Sequence, residues 1–329
     1  MSRRVTIVIP VYNVENFIKR CISSVLNQTY ENYSVVIVDD GSEDNSIFVA
    51  KEVCGFDDRF IFVKKKNGGL SSARNFGINY CESEYVCFLD SDDYYEKDFL
   101  ELMVSSIDRH KADIVICKTK VVSESGNLIN IVGHSLSGIV SKGKVLRDNL
   151  HQKVSSAAWN KIFRRIIFDN PNCLYPEGML FEDRAVFHNQ VLSCNRVLFI
   201  EKPLINYVQR KGSIMNSFSP DKVASRYNVI SKVRRDLEAW GVYEDYKYDW
   251  YACVFIVFFV GGAKQILLYS RYPNKDMSLI LSYKNRFEFS MVRLALKGGV
   301  SLRFLVRGLL YMYLPRLSTI VLRYKNAAS

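Results

Sequence analysis

The stretch YVCFLDSDDYY, Tyr85 to Tyr95, carries strand-forming residues straight into Asp90, Ser91, Asp92 and Asp93. Three carboxylates in four residues repel one another, and two of them, Asp90 and Asp92, flank a single residue. Alternate residues at a strand end can point the same way. Such a pair is costly unless a cation joins it. Oxygen ligands with open positions suit Mg²⁺ or Mn²⁺, which in turn bind phosphate oxygens. A DxD pattern alone is short, and a solvated turn whose acids cap the next helix would also produce it.

The surrounding segments narrow the choice. VDDGSEDNS holds Asp39 and Asp40 at a second acidic strand end, with Gly41 for a tight turn and Asp44 or Ser46 to cap a helix. KKNGGLSSARN brings the bare backbone of Gly68 and Gly69 together with the cations Lys66 and Arg74. A metal, a glycine loop and an arginine together describe a diphosphate site. No GxGxxG follows the first strand and no GxxxxGK[ST] occurs, which disfavours a dinucleotide fold and excludes a P-loop.

Regular elements must carry these segments to one place. RVTIVIPVYN reads as a buried strand over Val5 to Val11. Val14, Phe17, Ile18, Cys21, Ile22, Val25 and Leu26 then have helical spacing. YSVVIVD, RFIFVKK, EYVCFL and ADIVICK read as further strands. Helices are expected over Asp44 to Cys54, from Gly69, and over about Glu96 to Ile107. This alternation predicts an α/β fold with a mostly parallel sheet. In such sheets the carboxyl ends of the strands line the ligand crevice. Past about residue 120 the pattern breaks into irregular strands, short helices and loops, and from Asp221 onward it is helical.

Composition sets the outer bounds. The 329 residues are 48% hydrophobic, enough for a real core, and 45 Lys plus Arg against 34 Asp plus Glu give a net charge of +11. That balance points to nucleic acid, an anionic membrane or phosphorylated ligands. The eight cysteines form no CxxC pair, so reduced, buried thiols are expected rather than disulfides or zinc. The N-terminus lacks a secretory apolar region, because MSRRVTIVIPVYN breaks at Pro10.

IPVYN, VDDGSEDNS, NGGLSSARNFG and FLDSDD, in this order and spacing, resemble the family 2 glycosyltransferases of GT-A fold. The likeness is close over residues 4–120 and looser to about 215. It implies a nucleotide-diphospho-sugar donor, a divalent cation (Mn²⁺ or Mg²⁺) and inversion at the anomeric carbon. Under it, residues 1–120 form the donor half, 121–218 the acceptor and catalytic-base half, and 219–329 a helical extension. Pro10, Tyr12 and Asn13 belong to the nucleoside segment. Asp40, with Asp39 as the alternative, would hydrogen-bond a uracil ring. Asp92 is the expected metal ligand, with Asp90 or Ser91 near ribose and metal. For Asp93, capping the next helix is an equal expectation. Lys66, Gly69 and Arg74 complete the donor side.

Inversion needs a base that takes the acceptor hydroxyl's proton as it attacks. The resemblance implies that GMLFEDRAVFHNQ supplies it, with Asp183 as base and Glu182 as a sugar or acceptor contact. An acidic pair at a helix start would look the same. SSAAWNKIFRR resembles the family's Trp-x-Lys segment, where Trp159 would offer a platform to a sugar and Lys161 would reach a phosphate; a core Trp with a snorkelling Lys fits equally. Arg210, Lys211 and Ser213 resemble a loop that closes over the diphosphate, or form a plain basic loop. His188 is expected to pack rather than bind metal.

Trp250 to Ala263 is apolar for 14 residues, short of the roughly 20 that a spanning helix needs. A processive synthase, which requires such helices, is therefore not expected. Residues 291–325 place Arg293, Lys297, Arg303, Arg307, Arg316, Arg323 and Lys325 among apolar residues with no acid. That pattern suits an interfacial helix pair on anionic lipid, which a lipid-linked acceptor would explain. The leading expectation is a UDP-sugar transferase of capsule, O-antigen or lipopolysaccharide synthesis. A nucleic-acid binder lacks a motif, and its acidic strand ends would repel phosphate. A non-catalytic carbohydrate- or nucleotide-binding protein of the same fold would not need intact DxD and ED segments.

Overall fold

The computed structural model describes residues 3–210, 217–284 and 291–327. The chain divides into two compact units, Met1–Leu146 with Lys153–Arg210, and Arg147–Gln152 with Lys211–Ser329.

The first unit begins with β1 (Val5–Val11), α1 (Ile18–Leu26), β2 (Tyr33–Asp39), α2 (Ser46–Cys54), β3 (Phe60–Lys64), α3 (Gly69–Ile78) and β4 (Tyr85–Phe88). It continues with β5 (Tyr94–Tyr95), α4 (Phe99–His110), β6 (Ile114–Ser123), β7 (Leu128–Val132), β8 (Gly138–Val140), α5 (Lys142–Leu150, whose residues from Arg147 on belong to the second unit), β9 (Lys161–Arg164), α6 (Glu182–Leu192) and β10 (Val197–Gln209). Every residue of β1 and β4 is buried, which is why these strands read as unbroken apolar runs rather than alternating ones.

One mixed sheet runs in the order β3-β2-β1-β4-β9-β6-β10-β5, with β7 beside β6 and β8 beside β10. The parallel part falls in two blocks, β3-β2-β1-β4 and β6-β10. Between them β9 lies antiparallel to both β4 and β6. Strand–helix alternation is local and shows the first block. The insertion of a strand from residues 161–164 between two earlier ones is a long-range pairing. The sheet also passes without interruption through residue 120, so the residues on either side of that position share one framework.

Helix α4 starts at Phe99 rather than near Glu96. Tyr94 and Tyr95 pair with Asn206 and Ile205 of β10 and hold the chain extended there. Tyr95 also stacks on Phe99, with ring centroids 3.7 Å apart. Gly77 lets α3 lie close on the sheet: a Cβ there would collide with Val8 of β1 and press on Val38 of β2.

The second unit is helical: α7 (Pro220–Ala239), α8 (Tyr243–Cys253), a π-helical segment Val254–Gly262, α9 (Ala263–Tyr269), α10 (Pro273–Lys284), α11 (Met291–Lys297), α12 (Leu302–Tyr313) and α13 (Pro315–Ala327). The helix around Val254 is longer than its apolar run. Flanking polar turns continue the helix over Tyr243–Tyr269, 27 residues, so by length and composition it is able to cross a membrane. Its most apolar stretch is 78% buried within the protein, as a core helix would be. Helices α12 and α13 would pass the same test together but bend by 112° between them. Residues 291–327 are built into this unit rather than appended to it. A side chain at Gly298 would collide with the Tyr248 backbone, and one at Gly308 would meet the Phe255 ring at 2.8 Å. All eight cysteines are buried thiols outside any disulfide.

Candidate active site

The carboxyl ends of β1, β2 and β4 do gather the motif segments at one edge, because these strands run parallel in register. The β1 and β2 ends are knitted together. Asn13, at φ +50°, accepts from the Glu43 amide at 2.9 Å, and the Asp40 amide donates to the Val11 carbonyl at 2.9 Å. Pro10 is buried within β1, while Tyr12 just beyond it is 49% exposed.

Both aspartates of VDDGS hold the backbone. Asp39 Oδ1 accepts from the amides of Gly41 and Ser42 at 3.1 and 2.8 Å, closing the turn where Gly41 takes φ +81°. Asp40 Oδ1 accepts from Lys65 Nζ at 2.6 Å and the Gly68 amide at 3.0 Å, and Oδ2 from the Gly69 amide at 2.8 Å. With both oxygens engaged and 3% of the residue exposed, Asp40 anchors the glycine loop, a different task from the expected uracil contact. The lysine doing this is Lys65, whereas Lys66 is exposed. The KKNGG pattern does not separate the two lysines; only the direction of the chain leaving β3 does.

The centre of the site is Arg74, whose side chain is 1% exposed. Its Nη2 donates to Asp90 Oδ1 at 2.7 Å, and its Nη1 donates to Glu182 Oε1 at 2.9 Å and Asp183 Oδ1 at 2.7 Å. The guanidinium also lies over the Tyr175 ring at 5.1 Å. This arrangement corrects the expected role of Arg74: it is spent on three carboxylates inside the protein and does not face a diphosphate. The adjacent Asn75 clamps the Tyr175 backbone from both sides, donating to its carbonyl at 2.7 Å and accepting from its amide at 2.9 Å. The SARN segment thus seats the loop that leads to α6. The sequence carried Asn75 inside its motif, but nothing in its spacing marked Tyr175 as the partner.

Glu182 and Asp183 occupy the first turn of α6, which begins after Phe181 in a left-handed conformation. Asp183 Oδ2 accepts from the Ala158 amide at 3.3 Å, and a fifth of its side chain, 20%, stays open. Burial pushes the Asp183 carboxyl upward, against the pull of Arg74, and the charges of Glu182 and Asp90 push the same way. A carboxylate held by two donors, open on one side and raised in proton affinity, is suited to accept a proton near neutral pH.

The DxD carboxylates have diverged partners. Asp92 Oδ2 meets Arg210 Nε at 2.8 Å, and Arg210 in turn lies over the Phe17 ring at 5.5 Å. Burial and the Asp90 charge raise the Asp92 carboxyl. Ser91 is buried between them. Asp93 does not cap α4, which has no side-chain cap. It is 1% exposed, accepts from the Val208 amide at 2.8 Å, and is pushed well above the carboxylate range by burial. Among the described residues no group of three or more His, Cys, Asp and Glu side chains could hold a metal ion by itself. The pair Asp90 and Asp92 fits a cation of the Mg²⁺ type, which takes one or two carboxylates and completes its shell with phosphate oxygens and water. Burial and the neighbouring Asp90 charge, which raise the Asp92 carboxyl, are what such an ion would offset.

Lys161 neither reaches out to a phosphate nor snorkels. It is fully buried, and its ammonium donates to the Ser155 carbonyl at 2.9 Å, to Asn160 Oδ1 at 2.8 Å and to the Ala157 carbonyl. The β9 strand that begins at Lys161 lies inside the sheet, and the Phe187 ring of α6 covers the Lys161 ammonium at 4.5 Å. Trp159 is half-buried and stacks on Tyr207 with centroids 5.7 Å apart and planes 14° from parallel. His188 is buried on α6. Lys211 and Ser213 lie outside the described residues.

A mixed sheet whose parallel strand ends present a DxD, an acidic turn and a glycine loop, with an ED pair brought beside them, defines the GT-A class of α/β domain. The chain belongs to glycosyl transferase family 2, whose profile matches residues 6–170. It is 34% identical over 250 residues to glycosyltransferase GlyA of Streptococcus pneumoniae serotype 4, a match that covers 71% of this chain and 36% of GlyA. GlyG of the same organism is 29% identical over 226 residues, covering 66% of this chain and 74% of GlyG. The chain thus spans about a third of one relative and three quarters of the other. Among solved structures, S. aureus TarS 1–349 in complex with UDP-GlcNAc superposes with a TM-score of 0.61 at 19% identity, covering 90% of this chain and 89% of that one. At that identity the likeness concerns the fold.

Proposed function

We propose that this protein is an inverting glycosyltransferase that moves one hexose or N-acetylhexosamine from a UDP-sugar to a saccharide acceptor, with Asp183 as the base. The observation that carries this reading is the Arg74 guanidinium, which ties Asp90 of the DxD to the Glu182–Asp183 pair and so locks donor and base segments together. Asp183 takes the proton of the acceptor hydroxyl as that oxygen attacks the anomeric carbon. Glu182, held by the other side of the same nitrogen, orients sugar or acceptor. Pro10, Tyr12 and Asn13, with the turns that Asp39 and Asp40 hold, receive the nucleoside. The complex of TarS with UDP-GlcNAc supports a UDP-linked donor. Asp90 and Asp92 would hold Mn²⁺ or Mg²⁺, which when bound offsets the charge of the departing diphosphate. Arg210, now on Asp92, is within reach of the same diphosphate once that carboxylate is neutralised. Trp159 offers its open face to the acceptor.

The acceptor is proposed to be lipid-linked, in capsule, O-antigen or lipopolysaccharide synthesis at the cytoplasmic face of the inner membrane. Support comes from the second unit. Arg293, Lys297, Arg303, Arg307 and Arg316 are all exposed, beside exposed Leu302, Val306, Leu310, Leu317 and Ile320. Cations among outward apolar side chains, with no acid after Met291, suit an anionic bilayer surface. A panel of UDP- and GDP-sugars, screened with Mn²⁺ for release of free nucleotide, tests the core of the reading. One or a few UDP-sugars should be turned over, and no turnover of any donor would point instead to a non-catalytic binder of the same fold.

A further inference from the structure

Resting on Asp183 as the base, we propose that Lys161 is a positioning residue: its buried ammonium fixes the loop from Ser155 to Ala158 so that the Ala158 amide stays on the Asp183 carboxylate. A lysine ammonium has three N–H donors and no acceptor. All three are used inside the protein, on the carbonyls of Ser155 and Ala157 and on Asn160 Oδ1. Asn160 is itself fixed, with Nδ2 donating to the Cys117 carbonyl at 3.0 Å while its own carbonyl accepts from the Cys117 amide at 3.0 Å. The ammonium therefore hangs from the sheet and draws two carbonyls of the loop inward. The next amide after those carbonyls, that of Ala158, turns to Asp183 Oδ2 at 3.3 Å.

The same ammonium faces α6 directly. It lies 4.5 Å over the Phe187 ring, and Phe187 sits one turn after Asp183 on the same helix face. Asp183 is thus held from two sides by two buried cations with separate supports. Arg74 on α3 reaches Oδ1 directly, and Lys161 on β9 acts on Oδ2 through the loop. A fully buried lysine is rare unless its charge has a task, because desolvation penalises it. Burial pulls the Lys161 ammonium well below the usual lysine range, and the Asp183 charge together with the shell of carbonyls favours its charged form beside the base. The groups facing Asp183 are Arg74 from α3, Asp90 after β4, Lys161 from β9, Tyr175 on the loop before α6, and Glu182 at the start of α6. Of these, Lys161 and Arg74 alone are positive.

The test compares wild type, K161M and K161R at full length for donor turnover, UDP affinity and the pH profile of kcat/KM. K161M, similar in volume and without charge, should lose at least about tenfold in kcat and keep its UDP Kd within about twofold, as expected when only transition-state contacts are lost. Its acid limb should move to higher pH, because a carboxyl that loses a nearby cation holds its proton more tightly. K161R should recover part of kcat with the acid limb near its wild-type position. A folded K161M with unchanged kcat and acid limb would overturn the proposal. So would a UDP affinity that falls in parallel with kcat, which would make Lys161 a phosphate contact after all. If K161M does not accumulate as folded protein, K161R decides by the same two readouts. Wild type inactive on every donor would sink the transferase reading itself, and with it this inference; an active wild type with indifferent variants would sink this inference alone.

Discussion

Arg74 and Asp183 meet at 2.7 Å although 108 residues separate Arg74 from Glu182 and one more separates it from Asp183. The same guanidinium reaches Asp90 at 2.7 Å, so one buried cation counters three carboxylates drawn from two motifs. Removing one partner of a buried ionic cluster costs about 3–5 kcal/mol, because the remaining charges are left uncompensated. Arg74→Ala should therefore lower unfolding stability by about that amount at neutral pH. The loss should shrink in mildly acidic buffer, where Asp183, raised by burial, takes up a proton and no longer needs the cation. Urea denaturation at the two pH values measures it, and a change within about 0.5 kcal/mol, the size of a surface substitution, would contradict the burial argument.

Asp183 must be ionised to accept a proton, and burial raises its carboxyl to about 7. Activity should accordingly rise with pH through this region and level off above it. Asp183→Asn cannot accept the proton. It should cut turnover by about 10²–10⁴-fold, the range of a positioned general base, while UDP binding stays nearly intact. Isothermal titration with UDP beside turnover rates separates the two. Parallel collapse of affinity would make Asp183 a donor or structural residue.

The crowding of Asp90 and Asp92 predicts dependence on a divalent ion. Turnover should stop in excess EDTA and return with Mn²⁺ or Mg²⁺, and Asp92→Ala should be inactive yet folded. Asp92→Ala also frees Arg210, so its thermal midpoint should change little: an ion pair with partners 32% and 23% exposed is worth about 1 kcal/mol or less. Full turnover in EDTA would remove the metal from the mechanism.

The basic face of the second unit predicts salt-sensitive binding to anionic vesicles. Deleting residues 291–329 would strip the core, since Gly298 and Gly308 seat α11 and α12 against Tyr248 and Phe255. Charge reversal is the cleaner probe. Near an anionic surface each cation is worth about 1 kcal/mol. Arg303→Glu with Arg307→Glu should therefore weaken co-sedimentation by at least about tenfold and leave donor hydrolysis unchanged. Wild-type binding should fall as salt screens the field. Equal pelleting with neutral and anionic vesicles, or none with either, would rule out the electrostatic anchor.

What the sequence determined by itself is local. The apolar strands β1, β2 and β4, the helical spacing of α1, and the motif order at the strand ends all follow from patterns within about thirty residues, which is the reach of periodicity and turn chemistry. That was enough to place Asp39, Asp40, Asp90 and Asp92 along one sheet edge and to mark Glu182 and Asp183 as the start of a helix. Tertiary structure decided what those side chains face. Whether Lys65 or Lys66 turns to Asp40, whether Arg74 points out to a ligand or in to Asp183, and whether Lys161 reaches solvent depend on contacts between distant segments. The β9 strand, slotted between β4 and β6 with Phe187 of α6 over the ammonium, is what buries Lys161. A charged residue has the same letter at the surface and in the core, and only packing chooses between a ligand contact and a buried support. The same holds for the helix from Tyr243 to Tyr269, whose apolar residues are equally suited to lipid and to a protein core until its neighbours are known.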